Sequence, residues 1–238
     1  MDGALSRLPQ PARITVAGRE LPLAFRRSPR ARRVSLRLDS RGEVVTVTLP
    51  PFASERDGLA LAEHATGWLE ARLTALPQAI AFADGALIPI LGVPYRIVHD
   101  PAAGRRIAVK DGEVRIGGAP ERLALAVRGW LVGEARRQLA QRVREKTERL
   151  GRPAGRISVR DPVSRWGSCA ASGNLSFSWR LILAPEMVLD YVVAHEVAHL
   201  AVRGHGPRFW RTVGGLTERT AEARAWLRRH GAGLHRYG

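Results

Sequence analysis

The run Tyr191-Val-Val-Ala-His195-Glu196-Val197-Ala198-His199-Leu-Ala decides how this chain is read. Two histidines four positions apart on a helix project from one face about one turn apart, so both imidazoles reach a single metal ion. Glu196 lies about 100° round the helix from His195, near enough to contact a water on that ion without being a ligand. Such a set serves metal-assisted hydrolysis. The ion lowers the pKa of the water and polarises a carbonyl, while the carboxylate carries the proton to the leaving amine. The alternative is an amphipathic core helix whose histidines make ordinary hydrogen bonds. His195 and His199, however, interrupt a run that is otherwise apolar, where two imidazoles and a carboxylate need a compensation that a metal supplies. With seven His in 238 residues, a chance H-E-x-x-H is on the order of one in a hundred.

A catalytic zinc site takes three protein ligands and keeps a fourth position for water. The nearest third ligand is His205, six positions beyond His199, and Gly204 lets the helix end and the chain turn back. The alternative for His205 is an exposed loop histidine. The spacing equals that of the metzincin motif, but Val202 stands where that motif has glycine. Both methionines, Met1 and Met187, lie upstream, so no Met-turn follows and a metzincin is excluded. His64 and His99 are read as solvent-facing or locally bonded. No spacing supports a role for His230 or His235.

Upstream, Ser164-Arg-Trp-Gly-Ser-Cys-Ala-Ala-Ser-Gly-Asn-Leu-Ser-Phe-Ser-Trp reads as a Gly-punctuated hairpin packing Trp166, Phe177 and Trp179 on the active helix. One of its strands could also edge the cleft and pair with an extended peptide. Cys169, the single cysteine, excludes an internal disulfide and a multi-Cys zinc site, and reads as a small buried residue.

Around this centre the expected fold class is α+β. Residues 1–118 read as a β-rich N-terminal region with one helix, and residues 119–238 as a mainly helical catalytic region with a small sheet. Alternation predicts strand pairs about Gly18 and about Ser40-Arg41-Gly42-Glu43. A helix is expected from Ser54 to about Leu76, stopped by Pro77. Strands follow at Leu87–Leu91 and Tyr95–Val98, and a hairpin turns at Asp111-Gly112. Pro120 to Gly151 reads as a core-facing helix presenting Leu123, Val127, Trp130, Leu131, Ala135, Leu139 and Val143. The active helix is expected from Pro185 to about Ala201, followed by helices near Pro207–Val213 and Thr217–His230.

The composition is that of a globular protein, with 45% hydrophobic and 25% charged residues. The formal net charge of +16 invites a nucleic-acid reading, yet only Lys110 and Lys146 are lysine and the rest are arginine spread along the chain. We read the arginine as codon bias ahead of dedicated nucleic-acid binding, with weak electrostatic contact to nucleic acid through the basic surface. No signal peptide and no stretch of about 20 apolar residues is visible, so a cytoplasmic protein with no membrane partner is expected.

Arg165-Trp-Gly-Ser-Cys, Gly173-Asn-Leu, Trp179-Arg-Leu-Ile-Leu-Ala-Pro, Asp190-Tyr-Val-Val-Ala-His-Glu-Val-Ala-His-Leu and His205-Gly-Pro-Arg-Phe-Trp together resemble the YgjP-like metallopeptidases. That family is related to the SprT/Spartan group of zinc proteases, which the His205-Gly-Pro form resembles more closely. The likeness extends upstream to Arg30-Ala-Arg-Arg-Val-Ser-Leu-Arg, Pro50-Pro51, Trp68 and Leu91-Gly-Val-Pro-Tyr. It implies a zincin-type α+β catalytic domain, Zn²⁺ on His195, His199 and His205, and Glu196 as general base. It supplies no substrate; our first reading is a metallopeptidase acting on a peptide or protein. Two other readings remain: a DNA-associated basic protein with zinc protease activity on DNA-bound proteins, and a zinc-dependent hydrolase of a non-peptide amide.

Overall fold

The computed structural model describes residues 12–39, 42–75, 78–104 and 106–238. The chain divides into two compact units, Met1–Gln78 and Ala79–Gly238. Among the described residues it holds six α-helices and three small sheets, a mixed α+β architecture. No helix among them is long and apolar enough to cross a membrane.

In the first unit, strands β1 (Arg13–Val16), β2 (Arg19–Arg27), β3 (Ser35–Leu38) and β4 (Val45–Leu49) form a sheet of order β1-β2-β4-β3. Period-two alternation puts Ile14, Val16, Leu21, Leu23, Val45, Val47 and Leu49 on one buried face. Ala17 and Gly18 both have positive φ, 49° and 75°, as a two-residue hairpin turn demands. Helices α1 (Glu55–His64) and α2 (Thr66–Thr74) cover the apolar face, with Ala62 and Leu69 entering its core. α1 approaches so closely that a Cβ at Gly58 would lie 2.8 Å from Val47 and 2.9 Å from Phe25.

The single helix expected from Ser54 to about Leu76 is therefore two. The Ala65 N–H bonds to both Leu61 and Ala62 carbonyls, tightening the last turn of α1, and α2 restarts at Thr66 and buries Leu69. Ser54 caps α1 in a reciprocal box with Asp57, each side chain bonding the other residue's backbone N–H. Ser40, Arg41, Leu76 and Pro77, read as turn and helix stop, lie outside the described residues.

In the second unit, β5 (Leu87–Ile90), β6 (Val93–His99), β7 (Ile107–Lys110) and β8 (Glu113–Ile116) form a sheet of order β5-β6-β8-β7. α3 (Leu123–Leu150) buries Leu123, Val127, Leu131, Ala135, Leu139 and Val143 along one stripe and ends at Gly151 in the left-handed region. The boundary expected near residue 118 falls inside this unit. Val114 and Ile116 of β8 enter the same apolar core as Leu123 and Val127, so strand and helix cannot be parted there.

Strands β9 (Ile157–Arg160), β10 (Gly167–Cys169) and β11 (Leu175–Ser178) make the third sheet, order β10-β11-β9, which leaves β10 on an edge. A buried 3₁₀ turn, Trp179–Leu183, leads into α4 (Glu186–Ala198), and α5 (Pro207–Leu216) and α6 (Thr220–His230) follow. α4 is buried on nearly all sides and packs against α3, α5, α6 and β10. Three expected helix ends shift by three residues. α4 stops at Ala198, because the Leu200 and Ala201 N–H groups bond back three residues rather than four. α5 runs on to Leu216 and α6 starts only at Thr220, because Thr217 is extended with its hydroxyl donating to Asp190.

Candidate active site

The last turn of α4 carries His195 and Glu196, and His199 caps its C-terminus in a helical conformation. The chain then tightens and reverses through Gly204, at φ +87°, bringing His205 back just before α5. Among the described residues, His195, His199 and His205 converge as a set that could hold a metal ion, with one ring nitrogen of each within 4.8 Å of the others. The His195 and His205 Nε2 atoms lie 3.2 Å apart. Zinc–nitrogen bonds of ~2.0–2.1 Å place tetrahedral neighbours ~3.3–3.4 Å apart, so this pair stands at the separation such an ion requires.

The opposite ring nitrogens are engaged elsewhere. His199 Nδ1–H donates to the Val202 carbonyl at 3.2 Å, and His195 Nδ1 lies 3.4 Å from the Tyr191 hydroxyl. Tying off Nδ1 fixes ring orientation and turns Nε2 towards the cluster. Buried Phe209, from α5, is the common wall: its ring stacks on His199 at 4.5 Å and meets the edges of His205 at 4.7 Å and His195 at 4.9 Å. Burial, then the charges of His199, His205 and Arg224, hold His195 down at about 4. Burial also lowers His199, against the opposing hydrogen bond to Val202. Both rings therefore offer neutral lone pairs at pH 7. The donor set, with two nitrogens facing each other and no carboxylate between them, fits a borderline cation such as zinc.

Glu196 is 6% exposed. Burial pushes its carboxyl up to about 7, with the Arg165 guanidinium pulling the other way. The residue opposite is Gly167 of β10, where a Cβ would stand 2.6 Å from Glu196 Cγ and 2.7 Å from Oε1. The carboxylate occupies space that only glycine leaves.

An open cleft of about 420 Å³ runs along Gly167–Ala171, His195, Glu196, His199 and Arg203–His205. Arg203 reaches across to the Ala171 carbonyl at 3.2 Å. A second cavity, about 180 Å³, opens beside His195 and Glu196 and is lined by Trp166, Tyr191, Val192 and Leu227. Cys169, read as a small buried residue, is instead half-buried on the cleft wall, because β10 is an edge strand with one side open. Burial raises its thiol, so it stays protonated. His99 is locally bonded to the Gly118 carbonyl at 2.7 Å, and His64 and His230 are exposed.

The structure brings together the four residues that spacing singled out. It adds Tyr191, Phe209, Gly167 and the stack of buried His235 on Trp166 at 5.2 Å, which sequence reasoning missed. Phe209 and Gly167 lie inside quoted motifs, but no local pattern says that one faces three imidazoles and the other a carboxylate.

The family described as YgjP-like, metallopeptidase domain, matches residues 32–230. None of the curated proteins is matched by this chain. A solved structure, the metallopeptidase zymogen of Pyrococcus abyssi abylysin, is similar at 22% identity and TM-score 0.34, over 38% of this chain and 93% of that one. From the match over residues 32–230, this chain belongs to the YgjP-like metallopeptidase-domain family.

Proposed function

We propose that this chain is a zinc-dependent peptidase, with His195, His199 and His205 holding the ion and Glu196 acting as general base on a peptide bond. The observation that carries this reading is the convergence of three oriented imidazoles beside a buried carboxyl raised to about 7. Zinc held there supplies Lewis acidity, lowering the pKa of a water and polarising the scissile carbonyl.

The protein's own part follows from its atoms. Near neutrality the Glu196 carboxylate accepts a proton at Oε1 or Oε2 and passes it to the leaving amine, which a carboxyl of ordinary acidity would do less readily. β10 presents an edge, Gly167–Cys169, along which an extended peptide can pair main chain to main chain. The cavity walled by Trp166, Val192 and Leu227 receives an apolar side chain next to the reacting bond.

The test measures metal per chain by mass spectrometry on wild type and His205→Ala, together with peptide-library digestion by wild type and Glu196→Gln. Near-stoichiometric zinc lost in His205→Ala, with cleavage lost in Glu196→Gln, is expected. A wild type unable to take up zinc refutes the site. Zinc present without peptide cleavage turns the reading to a non-peptide amide.

A further inference from the structure

We infer that the solvent-facing side of the β1–β4 sheet docks the phosphate backbone of a duplex nucleic acid. This surface belongs to the Met1–Gln78 unit, whereas the candidate peptidase site belongs to the Ala79–Gly238 unit. Between Glu20 and Asp39 the chain carries six arginines and no carboxylate. All six are exposed; Arg27 donates to the Ala53 carbonyl at 2.9 Å, which leaves Arg26, Arg30, Arg32, Arg33 and Arg37 for the proposed surface.

Strand register places them together. Arg26 lies in one row with Thr48 and Ser35, and Arg37 in the next with Thr46 and Ala24, all on the face opposite buried Leu23, Val45 and Val47. Residues 28–34, which carry Arg30, Arg32 and Arg33, join β2 to β3 at the end of that first row. The nearby acids are engaged. Glu20 pairs with Arg13, and the Asp39 carboxylate accepts from the Glu43 and Val44 N–H groups.

The other side of the sheet is charged oppositely. α1 and α2 carry Glu55, Asp57, Glu63 and Glu70 against Arg56 and Arg72. Codon bias enriches arginine in helix and strand alike, so it does not account for this segregation. Guanidinium groups with hydroxyls between them are donors suited to phosphate oxygens. The outward positions Pro22, Ala24, Ser35, Thr46 and Thr48 offer no aromatic ring to stack an unpaired base and no large apolar chain to enter a bilayer. On that ground we commit to a duplex; Phe52, 79% exposed in the turn after β4, is the ring that would stack an unpaired base in the single-strand outcome of the test.

The test is fluorescence anisotropy of the full chain with a duplex DNA of about 20 base pairs, between about 50 and 200 mM salt. The quadruple variant Arg26→Gln, Arg32→Gln, Arg33→Gln, Arg37→Gln is compared with Arg136→Gln, Arg144→Gln, Arg228→Gln, Arg229→Gln, which removes equal charge from the other unit. The first should reduce the slope of log affinity against log salt by about 3.6, that is about 0.9 for each phosphate no longer neutralised, and the second should leave most of it. Single Arg26→Gln and Arg37→Gln variants, each expected to lower the slope by about 0.9, serve if the quadruple variant unfolds. Equal reductions in the two quadruple variants overturn the inference. So does a wild type that fails to bind the duplex, or that binds single strands or phosphatidylserine-containing vesicles as tightly.

Discussion

Replacing Gly167 by alanine sets a methyl group against the side chain on which the proposed chemistry depends. The added Cβ would lie 2.6 Å from Glu196 Cγ, 2.7 Å from Oε1 and 2.9 Å from Cδ. Carbon atoms rest at ~3.5–4.0 Å, so the group that yields must move by about 1 Å. The backbone of β10 is held in register, Gly167 opposite the fully buried Phe177, and α4 is packed on nearly all sides. The Glu196 side chain is the flexible partner, and its carboxylate is what moves. A misplacement of ~1 Å costs on the order of 10²-fold in rate, about 2.7 kcal/mol of barrier, while overpacking costs ~1–3 kcal/mol of stability. The three histidines keep their places, so metal content should stay at the wild-type level. The assay is kcat and KM on a cleaved peptide, with metal content and denaturation midpoint measured on the same preparation. We expect kcat to fall and KM to hold. Turnover within about twofold of wild type, or metal lost in step with activity, would refute the reasoning.

Other outcomes follow from the same geometry. Phe209→Ala removes the ring shared by three imidazoles and should cost ~3–5 kcal/mol in chemical denaturation. Phe209→Leu should restore most of that stability while still weakening zinc affinity in competition with a chromophoric chelator; wild-type affinity there would dismiss the ring as a positioning wall. Zinc at 100 times its Kd should stabilise the wild type by ~2.7 kcal/mol, lost on chelation, and an equal shift in His205→Ala would remove that residue from the site. Ser54→Ala should cost ~1 kcal/mol in thermal unfolding near neutral pH. Hydrogen bonds from the Ser54 backbone and then its side chain hold the Asp57 carboxyl below its ordinary value. The cap's contribution is therefore present above the ordinary carboxylate range and fades as pH falls through the lowered folded value. A Ser54→Ala penalty that grows in acid would contradict this sign.

Legibility varied with the range of the interaction. The H-E-x-x-H pair could be read at sight, since four-residue spacing on a helix places two side chains on one face whatever surrounds it. The strands at Arg13–Val16, Val45–Leu49 and Glu113–Ile116 were equally plain, because alternation is a property of the extended backbone itself. The break at Ala65 carries no proline and its nearest glycine, Gly67, lies inside α2, and the demand that Leu69 reach the sheet is invisible from within the helix. The division near residue 118 looked natural where strand gives way to helix, yet Ile116 and Leu123 share one core. Cys169 looked like a small buried residue until its strand proved to be an edge.

The sequence by itself determined the histidine pair on one helix face, the carboxylate beside it, the turn glycine before His205 and the family likeness, all of them consequences of spacing along a few turns of chain. Only the tertiary structure decided that His205 closes on His195, that Phe209 walls all three rings, and that Gly167 makes room for Glu196. Apart from Phe209 on His205, four residues away, those contacts join residues 10 to 29 apart, and such distances are set by how side chains pack across a core rather than by the conformational preference of any one segment.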